Sequence, residues 1–449
     1  MQAELQQLHY GTDKNNNKTI MKKILVVLLS VFLTACSVSV SENATYTPPA
    51  QKPTSYFDTK QGFSEQRLLR INDRMQEYID EGKLAGITTL VSRNNQTAHF
   101  AVQGMQDIAT GKPMQRDTIF RIYSMSKPIT AVAALTLWEQ GKFHMNDPIE
   151  MYLPELANLK VYVSGSGETM VVEDAKSPVR IIDLFTHTAG FSYGFTGSEV
   201  DKIYRASAMM QRKTTRENVL SELSKIPLNH QPGTQWNYGV NTDVIGFLVE
   251  KLSGMKLGEY VKQQILDPLN MQDTGFYVPA EKAHRLSQIY SNNKEGKTAI
   301  MENEPLGDFL TDPEIHNGGG GMVSTMDDYL TFARMLLNSG EVNGVRILGR
   351  KTVEYMRSNH LSANLLPYRD WAAGEGYGLA VSVTMDTDAL KFMGSEGNFG
   401  WSGAASTYFR VDPVENIIII GMAQFIPNGT HRYADDLRNL TYQALVDEN

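Results

Sequence analysis

The chain has 449 residues, 41% hydrophobic and 20% charged, with 42 Lys and Arg against 50 Asp and Glu for a net charge of −8. This is the composition of a soluble globular protein with a real core, built as one large two-lobed unit or two domains, and the acidic balance excludes a basic footprint for nucleic acid. The single cysteine, Cys36, excludes an intrachain disulfide and a cysteine-based zinc site, and the nine scattered histidines include no HExxH spacing, so no metal or cofactor is expected.

The N-terminal region reads as a targeting segment and is set aside from fold reasoning. Residues 1–20 are polar and read as an upstream extension or a mis-called start, because Met21 begins a better leader. Met21-Lys22-Lys23 is a short basic start, and residues 24–35 form an apolar run broken only by Ser30 and Thr34. A spanning helix needs roughly 20 apolar residues, so this run is a signal segment. Leu33-Thr34-Ala35-Cys36 resembles the lipobox of bacterial lipoproteins. The resemblance implies cleavage before Cys36, lipidation of that cysteine, and a membrane-anchored protein of the bacterial cell envelope on the outer-membrane or periplasmic side. Residues 36–55 are rich in Ser, Thr and Pro and read as a flexible tether, leaving 56–449 as the folded domain.

A helix is predicted from Ser64, where Leu68, Ile71, Met75 and Tyr78 recur at helical spacing and Gly82 ends the run. Residues 87–91 and 99–102 read as two strands around Asn94-Asn95. Residues 131–138 are apolar all round, the mark of a buried helix. Further helices are expected over 178–186, 200–211, 215–225, 242–253, 257–265 and 326–338, the last capped by Ser324 or Thr325. Strands return over 378–384, 406–411 and 416–424, and a helix over 432–446 closes the chain. Strands at both ends with helices between predict an α/β (α+β) fold: an antiparallel sheet lobe built from both terminal segments, with a mostly helical lobe inserted.

The chemistry concentrates in RIYSMSKPIT, residues 121–130. Pro128 lacks an N–H and is tolerated only in a first helical turn, so the buried helix starts near Ser124. Ser124 and Lys127 are three apart and share a face, whereas Ser126 diverges from Lys127. The free N–H groups at a helix start favour the negative charge that develops in acyl transfer. Alone, SxxK is equally an N-cap followed by a solvated lysine.

Four further stretches change that balance. SMSK at 124–127 resembles the SxxK of serine β-lactamases and penicillin-binding proteins. LFTHTAG at 184–190, PGTQWNY at 232–238 before a helix ending EKLSG, GGGGMVSTMDDY at 318–329 and GWSGAASTYFRVDP at 400–413 resemble, in order, motifs of class C β-lactamases and family VIII carboxylesterases. The resemblance covers about 63–447. It implies Ser124 as nucleophile, Lys127 as its partner base and Tyr238 as the base that passes a proton to the leaving group. Free lysine and tyrosine both titrate near 10, so each needs the other in a desolvated site to act at neutral pH. The resemblance also implies an oxyanion hole from the backbone N–H groups of Ser124 and Ala404, on the strand segment Trp401-Ser402-Gly403. The four glycines at 318–321 read as a backbone loop under the site.

Two departures bear on substrate. Where β-lactamases have Lys-Thr-Gly this chain has Trp401-Ser402-Gly403, and tryptophan cannot pair with an antibiotic's carboxylate. Where they have Tyr-x-Asn the third residue is Val240, with Asn241 one place later and Asp243 two beyond. Both favour short-chain neutral esters over β-lactams or D-alanyl peptides, and the intact Ser124, Lys127 and Tyr238 argue against a non-catalytic wall-binding protein. Gly190-Phe191-Ser192-Tyr193-Gly194 matches GxSxG, but a predicted helix precedes it and a loop follows, so Ser192 is expected to be a decoy. The loop 287–317 is a candidate for lining the pocket.

Overall fold

A computed structural model describes residues 54–446 except 208, 210, 211, 305, 370 and 371. Cys36, the signal segment and most of the expected tether lie outside the described residues. The main sheet has nine strands, all paired antiparallel. Its order is Thr54–Phe57, Gln96–Asp107, Gly86–Arg93, Ile417–Met422, Thr407–Asp412, Phe399–Gly403, Ser382–Thr384 and Glu375–Tyr377, with Lys112–Pro113 attached to Gln96–Asp107. N-terminal and C-terminal segments thus meet at the pairing of Gly86–Arg93 with Ile417–Met422. This is the α+β architecture that the sequence predicts.

The strand Ile417–Met422 shows why the two ends stay together. Its residues alternate between the sheet's two faces. Ile417 and Ile419 pack with Leu68, Ile71 and Met75 of the helix Glu65–Asp80 and with Leu437 of the closing helix Tyr433–Tyr442. Ile418 and Ile420 pack into the larger core shared with the helical lobe. Asn94 and Asn95 both take positive φ, 53° and 62°, the conformation of a two-residue type I′ hairpin.

The helix Ser126–Glu139 is buried from Ser126 through Leu137, as the apolar stretch 131–138 predicts for its second half, and the burial extends to the polar Ser126, Lys127 and Thr130. It packs against Asn241–Ser253, and Met326–Leu337 completes the same core. Thr325 is the N-cap of that last helix, its hydroxyl accepting from Asp328 N at 3.3 Å.

Several expected elements differ. The tether ends sooner, because Thr54 and Ser55 pair with Val102 and Ala101. The helix expected over 178–186 is only Ile181–Phe185, its start set where Arg180 N donates to Asp183 at 2.9 Å. The strand expected over 378–384 is a hairpin: Glu375–Tyr377 pairs with Ser382–Thr384, and the turn is closed by Gly378 N to Val381 O with Ala380 at φ 61°. The helix expected over 257–265 changes from α at Leu257–Val261 to a wider π turn at Lys262–Leu266. No helix among the described residues is long and apolar enough to cross a membrane.

Candidate active site

Ser124 lies in a 3-10 turn, Tyr123–Met125, that feeds directly into the helix Ser126–Glu139. Tyr123 is held at φ 41°, a costly conformation for a non-glycine residue and one that clusters at functional sites. Pro128 stands in the first turn of the α-helix, where its missing N–H removes no helical bond. Ser126 turns away from Ser124 and its hydroxyl accepts from Met322 N at 3.1 Å.

Two side chains converge on Ser124 Oγ. Lys127 Nζ donates to it at 3.2 Å and Tyr238 Oη at 2.7 Å. Tyr238 arrives from a loop just before the helix Asn241–Ser253, which packs beside the serine's own helix. Lys127 is fully buried. Its Nζ also donates to Gly319 O at 2.6 Å and sits 4.6 Å and 5.0 Å from the ring centroids of Tyr238 and Tyr193. A carbonyl oxygen and two aromatic faces are all partners that attract a cation.

A further layer fixes those partners. Asp243 is buried; its Oδ1 accepts from Gly319 N at 3.0 Å and its Oδ2 from Tyr193 Oη at 2.8 Å. Burial raises the Asp243 carboxyl above its ordinary value, opposed by the positive field of Lys127. Burial likewise holds the Tyr193 phenol well above its ordinary value, reinforced by Asp243. Gly319 must be glycine, since a Cβ there would lie 2.2 Å from Tyr193 Oη and 2.5 Å from Asp243 Oδ2.

Gly403 brings the strand Phe399–Gly403 onto the serine's turn, because a Cβ there would lie 2.3 Å from Ile122 O. That close approach sets Ala404 and Ser124 on one cavity wall. Trp401 lies 5.8 Å from Tyr238 and 5.2 Å from Tyr377, ring to ring. Ser402 Oγ accepts from Asn428 Nδ2 at 3.2 Å. The cavity over Ser124 holds about 880 Å³ and is lined near the serine by Tyr193, Tyr238, Trp401 and Phe195. From the loop 287–317, Leu306 reaches the lining.

His187, within the LFTHTAG stretch, is fully buried beneath Tyr238, with ring centroids 4.8 Å apart. Burial first, and then the charges of Lys127 and Arg369, hold it well below the ordinary histidine value, so it is neutral. Asn241 is bonded to it, Nδ2 to Nδ1 at 2.8 Å. The shifted amide therefore points into the core, not into the cavity. Ser192 is also buried, and its hydroxyl bonds the Asp201 carboxylate and accepts from Gly194 N at 3.0 Å.

Ser124, Lys127, Tyr238, Trp401, Ser402, Gly403 and Ala404 thus share one region, and Ser192 is held by a different group of partners. Sequence reasoning missed Tyr193, Asp243 and His187 as parts of it, and placed Gly319 under the site without a role. Tyr193 stood beside the decoy serine, and Gly319 was one of four glycines with no distinguishing mark.

Fold and site together define a hydrolase of the serine β-lactamase-like superfamily. The family model described as Beta-lactamase matches residues 71–443, and the chain belongs to that family. It is 35% identical over 363 residues to Protein Rv1367c of Mycobacterium tuberculosis, covering 79% of this chain and 89% of that one. It is 29% identical to Esterase EstB of Burkholderia gladioli over 58% of this chain and 68% of the esterase. Among solved structures it is similar to EstCE1, described as a hydrolase with promiscuous acyltransferase activity, at a TM-score of 0.73 and 25% identity over 84% of this chain and 99% of EstCE1.

Proposed function

We propose that the protein is a serine carboxylesterase that works through an acyl-enzyme on Ser124. The observation that carries this is the placement of one hydroxyl between Lys127 Nζ at 3.2 Å and Tyr238 Oη at 2.7 Å. In the reacting form Tyr238 is a phenolate stabilised by the Lys127 ammonium, so the 2.7 Å bond runs from Ser124 Oγ to Tyr238 Oη, and Oγ attacks the ester carbonyl as Tyr238 takes that proton. The Lys127 ammonium holds Oγ in line and offsets the negative charge that develops beside it. The N–H groups of Ser124 and Ala404 receive the oxyanion. Tyr238 then returns the proton to the departing alcohol, and water repeats the attack to release the acid. Trp401 stands on the cavity wall where β-lactamases have a lysine, so no ammonium lies on that strand for an antibiotic's carboxylate, and the burial of Asn241 also weighs against β-lactams and D-alanyl peptides.

The esterase named among the relatives supports this reading. A second outcome for the same acyl-enzyme is transfer to an alcohol in place of water. The aromatic lining from Tyr193, Tyr238 and Trp401 favours an organic acceptor, and EstCE1 is described with that promiscuity.

The membrane anchor belongs to the same proposal. We infer that Cys36 carries lipid and tethers the enzyme to the bacterial envelope, on the strength of the Leu33–Cys36 sequence alone. The test of the catalytic reading is turnover of 4-nitrophenyl butyrate by wild type, Ser124→Ala and Tyr238→Phe. Orders-of-magnitude losses in both variants are expected, and near-normal turnover in either overturns the assignment.

A further inference from the structure

A short, wholly neutral ester leaves most of an 880 Å³ cavity empty, and the rest of the wall is charged. Four arginines line it, Arg369, Arg410, Arg432 and Arg438, against two carboxylates, Glu375 and Asp435. Both Glu375 oxygens are engaged, Oε1 by Arg410 at 2.9 Å and Oε2 by Tyr368 at 2.5 Å. Asp435 is shared by Arg432 at 3.1 Å and Arg438 at 3.4 Å. Counted over the described residues, this wall carries more arginines than carboxylates, in a chain of net charge −8.

Two of these guanidinium groups are themselves buried. Arg410 is 7% exposed and Arg438 8%, and the Nε of each has no hydrogen-bond partner among the described residues. Those Nε atoms are themselves closed to solvent, so an acceptor in the cavity reaches these arginines only at their terminal N–H groups.

Arg369 ties this wall to the reacting centre. Its guanidinium carbon lies 5.1 Å from the Trp401 ring centroid and 4.5 Å from that of Trp236. A guanidinium held against aromatic rings keeps its charge, and its several N–H donors allow it to bind an oxyanion in addition to the partners it already has. Trp401 therefore takes the place of a lysine and carries an arginine on its face.

Resting on the esterase reading, we propose that the substrate is an ester whose end remote from the scissile bond bears a carboxylate, held by Arg369 and the arginines beyond it. The reacting ester stays neutral beside Trp401, and the expectation of a neutral substrate holds for that end alone.

The test compares kcat/KM within two pairs of esters, each differing by one carboxylate. One pair is 4-nitrophenyl hexanoate and mono-4-nitrophenyl adipate, with the anion on the acyl side. The other is phenyl butyrate and 3-carboxyphenyl butyrate, with the anion on the alcohol side. Wild type is expected to prefer the anionic member of one pair by about tenfold or more, the scale of one charge-assisted hydrogen bond. Arg369→Gln and Arg438→Gln should each lower that ratio, and Arg369→Lys should retain part of it. As a readout free of turnover, adipate should raise the Tm of Ser124→Ala protein and do so less when Arg369→Gln is added. Preference for the neutral member in both pairs, or a ratio that neither glutamine variant changes, overturns the proposal while leaving the esterase reading intact. No turnover of any ester overturns both.

Discussion

Gly319→Ala is the most revealing single change in the site. The added methyl would lie 2.2 Å from Tyr193 Oη and 2.5 Å from Asp243 Oδ2, whereas real Cβ contacts do not fall below 3.0 Å. Either the Tyr193–Asp243 pair or the Gly319 backbone has to move. The pair is buried and bonded at 2.8 Å, and Gly319 N donates to the same carboxylate at 3.0 Å. A shift of the backbone withdraws Gly319 O from Lys127 Nζ, now 2.6 Å away. Overpacking of this kind costs about 1–3 kcal/mol. Stability should therefore drop by a few degrees in Tm. Turnover should fall much further, because a displacement of about 1 Å in a positioned catalytic group costs roughly a hundredfold. Gly320→Ala is the matched comparison: its Cβ would meet nothing closer than 3.6 Å, so this variant should keep far more turnover. The assay is kcat for 4-nitrophenyl butyrate beside a melting curve for each variant. Wild-type kcat in Gly319→Ala would refute the argument that the Gly319 carbonyl fixes Lys127.

Other outcomes follow from the same geometry. Asp243→Asn keeps an acceptor oxygen for Gly319 N, turns the Tyr193 contact into one the amide donates, and removes the buried negative charge near Lys127, so kcat should fall by about tenfold or more with little change in KM; unchanged kcat would remove Asp243 from the positioning of Lys127. Ser192→Ala should retain turnover and lose about 1–3 kcal/mol of stability, because its hydroxyl partners the buried Asp201; loss of turnover in well-folded protein would reopen Ser192 as nucleophile. Burial lowers His99 to about 3 and His187 well below its ordinary value. The unfolded chain therefore binds more protons as pH falls from about 6.5, and each histidine contributes stability that is full above that pH and is lost below it, by up to about 1.4 kcal/mol per unit. Melting temperature measured from pH 7 to pH 4 should decline, and His99→Asn should make the decline shallower; an equal slope in both proteins would contradict this. Cys36→Ala should shift the protein from the membrane to the soluble fraction, and its retention in membranes would refute the lipid anchor.

Much of the fold was legible because burial leaves a periodic trace. The stretch 131–137 of the helix Ser126–Glu139 and the four isoleucines at 417–420 are almost wholly apolar, and both lie in the core. The Asn94-Asn95 turn was legible because few residues tolerate positive φ at two successive positions. The hairpin at 375–384 was not, since Tyr377, Leu379, Val381 and Val383 continue an apolar run straight through the turn at 378–381. In the site, Ser124 and Lys127 are one helical turn apart and could be read together. Gly319 meets Lys127 across 192 residues, and Tyr193 meets Asp243 across 50, so no local spacing links either pair. Arg369 reaches Trp401 in the same long-range way, which hid a cation behind a residue that had suggested its absence.

The central claim is that Ser124 is an activated nucleophile. The most direct measurement is to treat the full-length protein with a fluorophosphonate probe and locate the adduct by peptide mass spectrometry. The account predicts an adduct on Ser124 that is lost in Ser124→Ala and slowed in Tyr238→Phe. An adduct on Ser192, or none on the wild-type protein, would contradict it.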